Sequence, residues 1–186
     1  MKLPIRKNIR LPGYNYSQSG YYFITICVEK RQNMLGNVGD GVLDVPFNGV
    51  LDVLRESPIV LSEYGKITEK HIIALNEYYE HISIQNYVIM PNHVHILLAV
   101  LNEHEKDDKT SRTPLNGTSR TPSPTNAVVP AFVSTLKRFI HKECGFSLFQ
   151  RAYHDRIIRN EDEYMSVWKY IDENPVKYEK YPEIRE

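Results

Sequence analysis

Residues 82–100, "ISIQNYVIMPNHVHILLAV", constrain the fold more than any other stretch. Two apolar, β-branched runs flank "MPNH", where proline and then asparagine suit the middle of a tight turn. The reading is an antiparallel hairpin of about 82–90 and 93–100. Its second arm has a side-chain period of two. Val94, Ile96, Leu98 and Val100 take one face, fit to dock on helices. His93, His95, Leu97 and Ala99 take the other, which leaves the imidazoles looking toward something polar.

The rest of the chain supplies the partners this hairpin needs. "GYYFITICVEKR" follows a turn-forming "SQSG" and reads as a strand over 21–29. Residues 33–54, rich in Gly, Asn and Asp, suggest a minor hairpin or an irregular excursion. From Ile59 to Tyr79, Leu61, Tyr64, Ile67, His71, Leu75 and Tyr78 recur at helical spacing. Ser57-Pro58 fits an N-cap with proline at the first helical position, and Gly65 weakens that helix locally. "AVVPAFVSTLKRFIHKECG" reads as an amphipathic helix ending at Gly145, with Phe132, Leu136, Phe139 and Ile140 as its apolar stripe. "FQRAYHDRIIR" reads as a further strand. "NEDEYMSVWKYIDEN" reads as a helix capped by Asn160, acidic in its first turn, and ended by Pro175. The order is β, excursion, α, β, β, α, β, α. That is an α+β, ferredoxin-like βαββαβ antiparallel sheet with helices on one face, plus a C-terminal helix.

Residues 1–186 are read as one domain. Residues 102–126 hold almost nothing apolar and repeat "TSRTP", which marks a flexible insertion. Formal net charge is zero, so any nucleic-acid contact must be local. No apolar run approaches the ~18 residues of a membrane span, and the N-terminus has no signal-peptide core. Cys27 and Cys144 lack ligand spacing and read as buried free thiols in a reducing, cytoplasmic compartment.

Two imidazoles at i and i+2 lie about 6.5–7 Å apart along the strand and can converge on one ion. By itself the motif favours two half-exposed histidines hydrogen-bonded to neighbours. A third ligand is available in "YIDENP", where Tyr170 and Asn174 share a helix face at i, i+4. By itself that pair favours a packed tyrosine and an asparagine at a helix C-terminus. Spacing permits a metal site and does not select it.

The sequence resembles the HUH single-tyrosine transposases, and within them the REP-associated tyrosine transposases. The likeness lies in "RKNIRLPGYNYSQSGYYFITICVEKR", "VIMPNHVHILL", "FVSTLKRF" and "RAYHDRIIRNEDEYMSVWKYIDENPVKY". Together, in the family's order, they cover most of the chain. The resemblance implies a ferredoxin-like HUH fold, with metal ligands at His93, His95 and Asn174 and a nucleophilic tyrosine at Tyr170. It also implies an enzyme that cleaves single-stranded DNA near hairpins of palindromic repeats and joins strands, through a covalent 5′-phosphotyrosine. The insertion at 102–126 is longer than the family's usual connection there. The end at Glu186 implies that target recognition comes from this domain itself.

The ligand types suit Mn²⁺, and the resemblance keeps Mg²⁺ beside it. The expected partner is single-stranded or hairpin DNA, with no membrane. The protein would act as a monomer or homodimer and associate with the nucleoid. Candidate phosphate contacts are Arg6, Lys7 and Arg10, then Lys137, Arg138 and Lys142, then Arg151, Arg156 and Arg159. Tyr14, Tyr16, Tyr21 and Tyr22 are candidates for stacking on bases. Two other functions stay open: a hairpin-binding relative that no longer cuts, and a metal-dependent phosphoesterase with a water nucleophile.

Overall fold

The computed structural model describes residues 18–38, 59–101 and 127–180. Its strands are β1 (Gly20–Cys27), β2 (Gly36–Val38), β3 (Ile59–Leu61), β4 (Ile82–Met90), β5 (His93–Val100) and β6 (His154–Ile158). Its helices are α1 (Glu63–Tyr78), α2 (Val128–Cys144) and α3 (Glu161–Lys180). Four strands form one sheet in the order β4-β5-β1-β6, every neighbour antiparallel. With β2 and β3 set aside as a separate two-stranded pair, this is the βαββαβ sheet with α3 added.

The expected hairpin boundaries hold, with Pro91 and Asn92 at its turn. β5 sits between β4 and β1, and both its faces are covered. On one face, Tyr22, Ile24, Ile26, Val94, Ile96, Leu98 and Val100 pack with Ile72, Leu75, Phe132, Leu136 and Ile140 of α1 and α2. On the other, Leu97 and Ile158 pack with Val167 and Ile171 of α3, flanked by Phe23, Tyr164 and Trp168. Burying one such aliphatic side chain contributes about 1.5–3 kcal/mol, so Val167 and Ile171 dock α3 firmly. A bulge between Ile84 and Asn86 shifts the register of β4. Ile84 therefore meets the α1/α2 core, while the Asn86 amide donates to Asp172 of α3 at 2.8 Å.

Several expectations need correction. Ile59–Leu61 pairs with Gly36–Val38 as a strand, so α1 starts at Glu63. Its cap is Ser62, whose Oγ accepts from the Gly65 N–H at 3.2 Å; Ser57 and Pro58 lie outside the described residues. Gly65 is a requirement more than a weakness. A Cβ there would stand 2.0 Å from the Leu35 carbonyl oxygen. Phe139 is exposed, and the α2 stripe is Val129, Phe132, Val133, Leu136 and Ile140. Pro175 does not end α3, which runs on to Lys180. An interior proline costs about 3 kcal/mol, and the last turns are held by Tyr178, buried against Ile59 and Met90. The last strand begins at His154; before it only Phe149 bridges, to Val28.

No helix among the described residues is long and apolar enough to cross a membrane. The 102–126 stretch lies outside the described residues, between Leu101, whose N–H donates to the His81 carbonyl at 2.9 Å, and the start of α2. Replacing residues 104–124 with a short Gly/Ser link should change stability by on the order of 1 kcal/mol or less, because closure entropy varies slowly with loop length. Thermal melts of the two proteins check this; failure to fold would make the segment structural.

Candidate active site

The second face of β5 does not look toward solvent. α3 lies across it, and His95 is only 5% exposed. A buried imidazole needs partners for its nitrogens, and His95 has them. Its Nδ1 is 2.9 Å from Thr25 Oγ1, on the paired strand β1, and its Nε2 is 3.1 Å from His93 Nε2. His93 is half-buried, with Nδ1 2.6 Å from Asn92 Oδ1. Phe23 stacks on the His95 ring with centroids 5.0 Å apart. The two Nε2 atoms thus converge on one point, each ring held from behind.

Burial pushes the His93 imidazolium pKa down to about 4, helped by the positive charge of Arg31. For His95, burial first, then His93 and Arg31, push it down to about 3. At neutral pH both rings are uncharged and have lone pairs to give, which is the form a cation binds. Arg31 reaches this site from a strained turn. Lys30 and Arg31 have φ of 53° and 55°, in the left-handed region costly for non-glycine residues. The turn is pinned by backbone hydrogen bonds: Val28 N–H to the Asn92 carbonyl, Glu29 N–H to Leu148, and Arg31 N–H to Val28.

Tyr170 approaches from α3. Its ring meets Phe23 edge-on at 5.9 Å and His95 at 5.3 Å. Its hydroxyl lies 3.5 Å from His95 Nε2, a contact at the outer limit of a hydrogen bond, and the residue is 43% exposed. The phenol is therefore open to a substrate on one side and the imidazole pair on the other. Asn174, one turn on, is 8% exposed, and its Nδ2 has no hydrogen-bond partner among the described residues. Contacts along α3 fix its level. Tyr170 lies over His95, and Tyr178 packs on Met90, which pairs with His93. Asn174 falls between, and rotating its amide exchanges nitrogen for oxygen.

This donor set suits a divalent ion: two neutral imidazoles and a buried amide with an unsatisfied atom. Among the described residues no three His, Cys, Asp or Glu side chains gather to hold a metal. An ion here would rest on the mixed set of His93, His95 and Asn174.

The basic candidates are dispersed. Arg156 lies opposite Phe23 in the β1–β6 pairing, on the same sheet face as Tyr170, with a loose 3.4 Å ion pair to Glu163. Arg159 is exposed just before α3, and Arg151 just before β6. Lys137, Arg138 and Lys142 belong to α2, in the layer across the sheet from Tyr170. Arg138 sits 5.3 Å over the Phe139 ring, and Lys142 is exposed. Lys137 is turned inward. Its ammonium donates to the carbonyls of Gln150 (2.7 Å), Arg151 (3.3 Å) and Ala152 (3.0 Å), and burial lowers its pKa to about 8. Those bonds occupy all three ammonium donors. Lys137→Met should lower stability by about 1–3 kcal/mol, the cost of stranding such acceptors. The salt dependence of any DNA binding should stay unchanged, which a fluorescence titration against salt would check.

Among the tyrosines, Tyr21 is exposed, edge-on to Tyr164 at 4.7 Å. Tyr22 is fully buried in the core and cannot stack on a base. Arg6, Lys7, Arg10, Tyr14 and Tyr16 lie outside the described residues. Sequence reasoning missed Thr25, Asn92 and Arg31. Asn92 was visible only as a turn residue, and Thr25 as a hydroxyl in a largely apolar run.

A solved structure of a REP-associated tyrosine transposase bound to a REP hairpin superposes with a TM-score of 0.55. The match covers 91% of this chain and 73% of that one, at 19% identity. The chain has the fold of a REP-associated tyrosine transposase. In sequence, it is 26% identical over 182 residues to an uncharacterized protein of Haemophilus influenzae, covering 94% of this chain and 91% of the relative. No protein-family model matches it.

Proposed function

We propose that the protein is a metal-dependent, transposase-like enzyme that cleaves and rejoins single-stranded DNA beside hairpins through Tyr170. The observation that carries this reading is the hydroxyl of the partly exposed Tyr170, 3.5 Å from His95 Nε2 and beside two imidazole nitrogens 3.1 Å apart. The transposase of like fold is bound to a REP hairpin, which makes hairpins of palindromic repeats the substrate to try first. Such a role would place the protein at the nucleoid.

The phenol oxygen attacks phosphorus and forms a P–O bond as the bond to the 3′ oxygen breaks. The phenol proton passes to solvent, and the departing 3′ oxygen takes one up. The product is a 5′-phosphotyrosine and a free 3′-hydroxyl, which can attack in reverse and join strands without a nucleotide cofactor. Phe23 and His95 hold the Tyr170 ring edge-on, so the nucleophile is positioned before the DNA arrives. His93, His95 and Asn174 would hold Mg²⁺ or Mn²⁺. When bound, such an ion withdraws charge from a non-bridging phosphate oxygen. Arg156, on the same face, is the best placed of the basic residues to meet a neighbouring phosphate.

The test uses end-labelled single-stranded oligonucleotides with and without hairpins, incubated with the protein and Mn²⁺ or with a chelator. The reading predicts denaturant-resistant protein–DNA adducts and strand breaks, only with metal and mainly near hairpins. Cleavage without an adduct would favour a water nucleophile. Tight hairpin binding without cleavage would favour a binding module.

A further inference from the structure

The Nε2 atoms of His93 and His95 lie 3.1 Å apart. At that distance they share one proton, because two lone pairs or two N–H groups would repel. The far ring nitrogens decide which ring carries it. With the Asn92 amide oriented so that its Oδ1 faces His93 Nδ1 at 2.6 Å, that oxygen accepts. In this orientation His93 keeps its proton on Nδ1 and has a bare Nε2. His95 donates from Nε2, and its Nδ1 accepts from the Thr25 hydroxyl at 2.9 Å. Each link of the chain Thr25–His95–His93–Asn92 then has one donor and one acceptor.

We propose that Asn92 and Thr25 are positioning residues that set the ring tautomers of the histidine pair. Asn92 locks His93 with Nε2 bare. The Thr25 hydroxyl can donate or accept, so it serves His95 in both of its neutral forms. With a divalent cation held by both Nε2 atoms, His95 would carry its proton at Nδ1 instead, the Nε2 proton leaving to solvent and one being taken up at Nδ1. Thr25 turns from donor to acceptor, and net protonation does not change. Metal-bound imidazoles in general hold their second nitrogen against such a partner. A valine at 25 would match the shape and lose both roles. This inference rests on the reading of His93 and His95 as metal ligands.

Two-bond ¹H–¹⁵N spectra of histidine-labelled protein read the tautomers directly, with Zn²⁺ as a diamagnetic probe. The expected metal-free spectrum shows His93 protonated at Nδ1 and His95 at Nε2. With Zn²⁺, both should be protonated at Nδ1. Thr25→Val should lower Zn²⁺ affinity roughly 10–100-fold, and Thr25→Ser should restore it. Asn92→Asp keeps the acceptor and should keep the His93 tautomer. A metal-free His95 already protonated at Nδ1, or Thr25→Val binding Zn²⁺ as tightly as the parent, would overturn the inference and leave the metal site standing. Should the parent protein bind no Zn²⁺, the metal reading and this inference would fall together.

Discussion

Tyr170→Phe is expected to abolish covalent adducts and strand cleavage together, a loss on the order of 10⁴-fold or more for removal of a nucleophile. The change removes one oxygen. That oxygen makes only a 3.5 Å contact with His95 and sits on a half-exposed side chain. Stability should therefore stay within about 0.5 kcal/mol. The edge-on packing on Phe23 depends on the ring, which phenylalanine keeps. Hairpin binding and Zn²⁺ affinity should survive, since the proposed ligand set of His93, His95 and Asn174 does not include the phenol. The competing tyrosines are less well placed. Tyr164 packs against Tyr21 and Trp168, away from the imidazoles, and Tyr178 is buried against Ile59 and Met90. Adduct gels and melting curves on Tyr170→Phe check both halves. Cleavage that persists in this variant without an adduct would point to water as the nucleophile.

The second large effect belongs to the histidines. His93→Ala and His95→Ala should each abolish metal-dependent cleavage. Each should also lower Zn²⁺ affinity by more than the roughly 10–100-fold cost of losing an outer partner. Their costs in stability differ. His95 is buried, bonded to Thr25 and stacked on Phe23, so truncation leaves a cavity and should destabilise by about 2 kcal/mol. His93 is half-buried and should cost nearer 1 kcal/mol. Calorimetric Zn²⁺ titrations and melts separate the two effects. Undiminished affinity in either variant would remove that residue from the ligand set.

The sheet was legible because periodicity of two, with β-branched residues and turn signals, dictates strands almost locally. The 82–100 hairpin is the clearest case. What local pattern could not reveal was coverage. An i, i+2 count put His93 and His95 on one face, but only the docking of α3 shows that this face is buried and His95 neutral. The extension of α3 through Pro175 was hidden for the same reason. Proline disfavours a helix locally, while Tyr178 holds the last turns from two strands far away in sequence. Ile59–Leu61 carries helical spacing by accident, and its strand pairing depends on residues 36–38. Tyr170 and Asn174 were marked by resemblance, whereas Thr25, Asn92 and Arg31 gain significance only once β1, the turn and β5 lie side by side.

In the proposed reaction Tyr170 becomes covalently joined to a DNA 5′-phosphate with the help of the His93–His95 pair. The most direct measurement is mass-spectrometric mapping of the adduct formed with a labelled hairpin substrate and Mn²⁺, after nuclease and protease digestion. The account predicts a single nucleotide-bearing peptide, modified at Tyr170, that disappears with a chelator. A modification at any other tyrosine would contradict it.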